Sequence, residues 1–179
     1  FLVYFLFLVP LILTMTFPIK TDTTVYDLRA LPLTLGSLYG GIHTTILLFI
    51  SLIVYRVSLG GLNLINYLIA LMPTFILLCF AVKKYNSLTF RNKIITSILI
   101  CFFLRTTVLS IYLFLNGKSI SMYEVFVLSL PIMIMQSLLT GFYVYIIEAI
   151  RKNKQLQDEV SKTEKIKIVS DLAASVAHE

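Results

Sequence analysis

The chain's last two residues, His178 and Glu179, carry side chains suited to phosphoryl transfer. A neutral imidazole nitrogen is nucleophilic near pH 7 and can take up a phosphoryl group. A carboxylate at the next position could hold the ring in one tautomer and accept its proton. The alternative is an ordinary surface histidine near a helix end. By itself the pair therefore indicates a candidate nucleophile, His178, beside a candidate acid–base group, Glu179.

A helix over residues 151–177 is predicted to position this histidine, because the segment contains neither Pro nor Gly. The spacing of a coiled-coil seam is followed by Leu156, Val160, Thr163, Ile166, Val169, Ala173 and Val176. The step from Thr163 to Ile166 is one residue short, a stammer that locally overwinds a coiled coil. At about 100° per residue, His178 lies about 200° from Val176 and faces out of a parallel dimer. The alternative is an amphipathic helix on the membrane surface.

The composition of the chain predicts a membrane protein. Apolar residues make up 58% of the 179 residues and charged residues 13%, and the mean hydropathy is +0.91. A soluble domain has roughly 45–50% apolar and about 25% charged residues, and a disordered chain has still fewer apolar ones. The net charge of +6 comes from bases at the ends of apolar runs, so we expect no nucleic-acid partner. Cys79 and Cys101 lie inside apolar runs and indicate neither a disulfide framework nor a metal site.

Six apolar segments follow one another along the chain, at residues 1–19, 28–39, 42–59, 62–82, 94–115 and 125–147. The last has 23 uncharged residues, enough to cross a hydrocarbon core of about 30 Å. Residues 28–39 span only about 18 Å as a helix, so they form a thin span or a re-entrant half-helix buried among its neighbours. The predicted fold class is all-α: a polytopic transmembrane bundle of about six spans with a cytoplasmic signalling helix.

Basic residues in short loops predict the orientation of these segments. There are two basic clusters. The loop after the fourth segment holds Lys83, Lys84, Arg91 and Lys93 with no acid, and Arg151, Lys152 and Lys154 follow the sixth segment. Two spans separate the clusters, so both lie on one side, which should be the cytoplasm. We therefore expect a multi-pass protein with a cytoplasmic C-terminus. The chain begins without Met and stops directly after a histidine, so we also expect a fragment of a longer protein.

Charged residues in the apolar part are candidates for a ligand site. Arg105 lies near the middle of the fifth segment, where an arginine costs about 2.5–3.5 kcal/mol on translocon scales, so it should face the bundle or a wet cavity. Arg29 and Arg56 lie near the outer boundary, and Asp27 is two residues before Arg29. We expect Asp27, Arg29 and Arg56 to line an outward-open pocket for a small ligand, with an anion as one candidate and Arg105 as a fourth binding residue. The alternative is an ion-pair network that fixes helix packing.

Two parts of the chain resemble known families. Residues 170–179, Ser-Asp-Leu-Ala-Ala-Ser-Val-Ala-His-Glu, resemble the start of the H-box of sensor histidine kinases, most closely those of the sporulation type from Gram-positive bacteria. Residues 5–150 resemble the LytS/YhcK-type five-transmembrane receptor region, a sensor module ahead of kinases and cyclases. The motifs that carry this second resemblance are Asp27-Leu28-Arg29, Leu38-Tyr39-Gly40-Gly41, Tyr55-Arg56 and Leu59-Gly60-Gly61. The chain has one more apparent span than that family's five.

The resemblance implies the sensor part of a two-component histidine kinase in a bacterial cell membrane. His178 would be phosphorylated from ATP, with Glu179 as the adjacent acid–base residue, and the phosphate would pass to an aspartate of a response regulator. ATP and Mg²⁺ would bind in a catalytic domain outside this fragment, which should be inactive alone and hold no cofactor or metal. The implied partners are a second copy in a homodimer, the response regulator, the bilayer and an unknown small-molecule or membrane signal.

The resulting domain organisation is a sensor at residues 1–150, a coiled-coil linker at 151–168 and the start of the dimerisation and phosphoacceptor helix at 169–179. Two other functions fit the membrane part. A small transporter or channel would use Arg105 and the Gly breaks as a substrate path, although the bundle is small and lacks midplane acids. A diguanylate cyclase could carry the same sensor, but a cyclase does not need a His-Glu pair on its linker.

Overall fold

A computed structural model describes residues 2–20, 25–26, 28–60, 64–116 and 129–178, most of which are helical. The helices in these ranges are α1 (Leu2–Thr16), α2 (Ala30–Ser58), α3 (Leu64–Tyr85), α4 (Phe90–Asn116) and α5 (Leu130–His178). A two-residue antiparallel pair, β1 (Ile19–Lys20) and β2 (Val25–Tyr26), lies between α1 and α2. The predicted all-α class is confirmed, since this pair is the sheet structure found in the described ranges.

Four of the described helices, all except α1, are long and apolar enough to cross a membrane. Helix α1 is also apolar but has 15 residues. Many large apolar side chains face outward, such as Phe80, Phe114 and Met135, which are 69%, 86% and 65% exposed. Apolar surface of this extent would promote aggregation in water and is suited to lipid. The chain is therefore a multi-pass membrane protein.

Helix α2 is broken at Gly41 and folds back on itself. Gly41 has φ 78° and ψ −175°, a backbone conformation that is essentially restricted to glycine. A Cβ atom at Gly36 would lie 2.5 Å from Leu48 Cδ1. In a straight helix these two residues, twelve positions apart, would be separated by about 18 Å along the axis. The two limbs of α2, residues 30–40 and 42–58, therefore lie side by side and run antiparallel.

This fold-back explains why the six predicted segments correspond to five helices in the described ranges. The second and third segments, which the Gly40-Gly41 pair separates in the sequence, are the two limbs of α2. The first limb is enclosed by protein, because residues 32–38 are all buried. A Cβ at Gly36 would also lie 2.9 Å from Phe7 Cβ, so this glycine lets the limb approach α1. Burial among neighbouring helices is the condition under which a half-helix is stable at membrane depth.

Contacts within the bundle show which helix ends lie together. The open end of the α2 hairpin lies beside the start of α3, where Arg29 Nη1 donates to the Tyr67 hydroxyl at 2.8 Å. The tip of the hairpin lies beside the end of α3, where the rings of Tyr39 and Tyr85 are 5.7 Å apart. Lys93 Nζ lies 5.8 Å from the centre of the Tyr85 ring. The basic turn between α3 and α4 is therefore at the opposite end of the bundle from Arg29.

The chain divides into two compact units, residues 1–144 and 145–179. The first contains the helix bundle, whose core includes the buried side chains Leu11, Leu48, Leu78 and Leu104. The second is helical through His178, and its side chains at residues 151–168 are all exposed. The helix predicted for residues 151–177 is thus confirmed. The domain borders at residues 150 and 168 stay predictions.

Candidate functional site

The bundle contains a charged side chain, Arg105 of α4, which is hydrogen-bonded to α5. Arg105 Nε donates to Gln136 Oε1 at 2.9 Å, and Gln136 is 1% exposed. Because an arginine at this depth is costly in lipid, a protein partner for its guanidinium is expected. The contact joins residues 31 positions apart in the sequence and connects α4 to α5. Arg105 therefore faces the interior of the bundle.

Arg29 and Arg105 line the same small cavity. Apolar walls come from Leu33, Leu52, Leu71 and Leu104, and Thr74 adds a hydroxyl. The cavity measures about 20 Å³, which is room for roughly one water molecule. Arg29 and Arg105 are the charged residues of this lining, which is otherwise mostly apolar. In this arrangement of the helices the space is too small for an organic ligand.

Arg29 is held at the cavity by α3. Its guanidinium carbon lies 5.4 Å from the centre of the Tyr67 ring, and Nη1 donates to the Tyr67 hydroxyl. A cation over an aromatic ring contributes about 0.5–2 kcal/mol, depending on how far it is removed from water. Arg29 is also the residue directly before α2 begins. Its side chain therefore connects the open end of the hairpin to the first turn of α3.

The other two predicted ligand-binding residues are not part of this cavity as the structure describes it. Arg56 lies in the last turn of α2, one turn beyond Leu52, which lines the cavity. Its Nε atom is buried and has no hydrogen-bond partner among the described residues. Asp27 lies outside the described residues. The structure therefore brings Arg29 and Arg105 to one cavity, and the pocket of Asp27, Arg29 and Arg56 stays a prediction.

Helices α4 and α5 meet through small and polar side chains. Thr140 Oγ1 donates to Cys101 Sγ at 3.3 Å and to the Gln136 carbonyl at 2.9 Å. A Cβ at Gly141 would lie 2.6 Å from Ile98 Cδ1, so the two helices approach closely there. In lipid, where the tails are as apolar as Leu, such close packing and interhelical hydrogen bonds hold helices together. The position of α5 against α4 therefore depends on a few polar contacts.

Gln136 and Thr140 belong to the site, although the sequence analysis did not identify them. Both are buried in α5, and they are four positions apart on one face of the helix. Ser137 and Gly141 extend the same stripe of small and polar residues. This stripe in an otherwise apolar segment could have identified Gln136 and Thr140 from the sequence, because polar side chains at membrane depth usually face protein. Within the part of the chain that the structure describes, no His, Cys, Asp and Glu side chains gather in a metal-binding group.

The predicted phosphoacceptor lies in the second unit. His178 is the last residue of α5, and Glu179 lies outside the described residues. Leu156, Val160 and Ile166, three of the predicted seam residues, are 50%, 57% and 70% exposed. These apolar side chains are exposed on an otherwise charged helix, and the seam that would cover them stays a prediction.

Together, the helices and their polar interior define a multi-pass membrane protein with an intramembrane site. Residues 1–150 match the family described as the 5TMR of 5TMR-LYT, and the chain belongs to this family. The family is a membrane sensor region found in signalling proteins such as LytS-type kinases. The resemblance of the membrane part is thereby confirmed. No curated protein and no solved structure matches the chain.

Proposed function

We propose that the chain is the membrane sensor part of a two-component histidine kinase, in which a signal at the bundle controls phosphorylation of His178. The observation that carries the proposal is that one helix, α5, contains both Gln136, which accepts a hydrogen bond from Arg105, and His178. The membership of residues 1–150 in a sensor family supports the input side. The H-box-like residues 170–179 support the output side.

The signal at the bundle is proposed to be a small anionic ligand. Arg29 and Arg105 supply charge to one cavity, and their hydrogen-bond donors suit the oxygen atoms of an anion. The cavity now has room for roughly one water molecule, so a ligand would bind with a separation of the surrounding helices. A ligand shifts an equilibrium only when it binds one of two arrangements better than the other. The closed and the opened bundle would be those two arrangements.

The output is proposed to pass through a parallel pair of second units in a homodimer. Leu156, Val160 and Ile166 would be covered by the same residues of a second copy. The stammer between Thr163 and Ile166 would place two helix phases close in energy. ATP and Mg²⁺ would be held by a catalytic domain, the imidazole of His178 would take the γ-phosphoryl group with release of ADP, and a response-regulator aspartate would receive it.

The experiment that tests the proposal is phosphate labelling of the full-length protein in membranes with γ-labelled ATP. The chain contains two histidines, His43 and His178, so a matched control is available. We expect His178→Gln to abolish acid-labile labelling and His43→Gln, an exposed position near the hairpin tip, to leave it intact. Labelling that persists in His178→Gln would contradict the proposed function.

A second candidate function, a small transporter or channel, is favoured by the shape of α2. Broken helices that end inside protein line substrate paths in many transporters. The buried first limb also contains Ser37, whose Oγ has no hydrogen-bond partner in the described ranges. Uptake of a labelled anion such as acetate into proteoliposomes, with empty liposomes as control, would favour this candidate over the sensor. A diguanylate cyclase with the same sensor is distinguished by the absence of histidine labelling.

A further inference from the structure

Gln136 is a buried amide of which only one half is hydrogen-bonded. Its Oε1 accepts from Arg105 Nε, whereas its Nε2 is buried and has no hydrogen-bond partner among the residues that the structure describes. A buried donor that makes no hydrogen bond destabilises the folded state, because it has lost its contacts with water. The Nε2 half of the Gln136 amide therefore lowers stability. The other half makes the hydrogen bond to Arg105, and this bond is where a function of the side chain is to be sought.

The contact to Arg105 differs from the other contacts between α4 and α5. Among the contacts between α4 and α5 described above, the Gln136–Arg105 hydrogen bond involves a residue that lines the Arg29–Arg105 cavity. One turn further, Thr140 and Gly141 contact Cys101 and Ile98, which do not line that cavity. A hydrogen bond to a charged group is stronger than one between neutral groups. If the Arg105 guanidinium turned toward an occupant of the cavity, both halves of the Gln136 amide would be buried without a partner.

That situation would be relieved by a movement of α5. At Gly141, where no side chain projects toward Ile98, the two helices pack closely against each other. Shifts of packed helices by about 1–2 Å are a common form of signalling movement. We propose that Gln136 is the positioning residue that transmits the state of Arg105 to α5. The consequence for His178 rests on the proposed function, whereas the link between Arg105 and α5 is a property of the bundle.

Distance measurements between spin labels test the link directly. Nitroxides at Phe103 of α4 and Met135 of α5, both more than half exposed, would report the spacing of the two helices. The full-length protein would be measured in lipid nanodiscs, diluted with unlabelled protein, after Cys79→Ser and Cys101→Ser. Arg105→Leu removes the guanidinium, and we expect it to shift the label distance by about 1–2 Å.

The role of Gln136 is tested by measuring the effect of Arg105→Leu on the label distance again in two variants, Gln136→Met and Thr140→Val. Gln136→Met keeps the length of the side chain and removes both polar atoms, so Arg105→Leu should no longer shift the distance. Thr140→Val is the matched control, because it removes a buried hydroxyl of α5 whose hydrogen bonds do not involve Arg105, and the shift should persist. An equal shift in Gln136→Met, or its loss in Thr140→Val, would overturn the proposal.

Two additional measurements keep the outcome decisive. If Gln136→Met does not fold, Gln136→Glu replaces it: a charged acceptor holds Arg105 more strongly, so the shift should exceed that of the native background, and an equal shift would count against the proposal. Phosphate labelling should change with Arg105→Leu in the native and Thr140→Val backgrounds but not in Gln136→Met. Absence of labelling in the native protein would refute the proposed kinase function, while the distances would still decide the role of Gln136.

Discussion

Gly41 is the residue on which the shape of α2 depends. Its φ of 78° and ψ of −175° belong to a region that residues with a Cβ rarely occupy. A Cβ at this position would meet no described atom within 4 Å, so a substitution would act through the backbone alone. Gly60 is a useful comparison, because it has φ 69° and is equally open but follows the end of α2. Substitutions at the two glycines therefore distinguish backbone strain at the hairpin tip from backbone strain in a loop.

At this scale we predict that Gly41→Ala lowers the unfolding free energy by about 1–3 kcal/mol, the range for a residue held in a sparsely populated backbone region. Gly60→Ala should cost about 1–2 kcal/mol, typical of a left-handed residue with a side chain, because the chain can relax there. Unfolding in detergent, followed by circular dichroism, measures both. A loss of stability at Gly41 that is smaller than at Gly60 would contradict a glycine-dependent hairpin.

At the scale of elements, α5 combines two kinds of surface. In the bundle it presents small and polar side chains to α4, where Gln136 and Thr140 make interhelical hydrogen bonds. In the second unit its apolar side chains are exposed, among them Leu156 and Val160. The first surface is packed against α4 within one copy of the chain. The second is left for a partner helix, which the heptad spacing predicts to be a second copy.

For this element we predict that Leu156→Cys forms a disulfide between two copies under mild oxidation in membranes, in a background with Cys79→Ser and Cys101→Ser. A parallel in-register pair brings seam Cα atoms within the 7 Å that a disulfide requires. Asp158→Cys, about 200° from Leu156 around the helix, is the control and should form little disulfide-linked dimer. Dimer yields on gels without reductant give the answer, and equal yields at both positions would rule out the predicted seam.

At the scale of the whole molecule, the bundle has two chemically different ends. The turn between α3 and α4 carries basic residues and lies near the tip of the α2 hairpin, as the contact between Tyr39 and Tyr85 shows. The opposite end contains Arg29 and the end of α2. Loops rich in Lys and Arg remain in the cytoplasm, because their transfer across the membrane is disfavoured. The structure therefore adds a test of orientation that uses both ends.

The pair Ser87 and Ser58 suits this test, since both serines are exposed and lie at opposite ends of the bundle. In a cysteine-free background, we predict that Ser58→Cys reacts with a membrane-impermeant maleimide in intact cells. Ser87→Cys should react only after the cells are permeabilised. Labelling is read on gels, and the reverse pattern would place the basic turn outside the cell and contradict the orientation.

The sequence alone determined the membrane environment and the apolar segments that form the helices, and it predicts the seam of the second unit. These properties follow from local hydropathy and spacing, which do not depend on distant residues. Arg105 could be predicted to face protein, because an arginine is costly in lipid. Only the tertiary structure decided that α2 folds back at Gly41, that Arg29 and Arg105 share a cavity, and that Gln136 accepts a hydrogen bond from Arg105. Those features depend on which helices pack together, and hydropathy does not encode that choice.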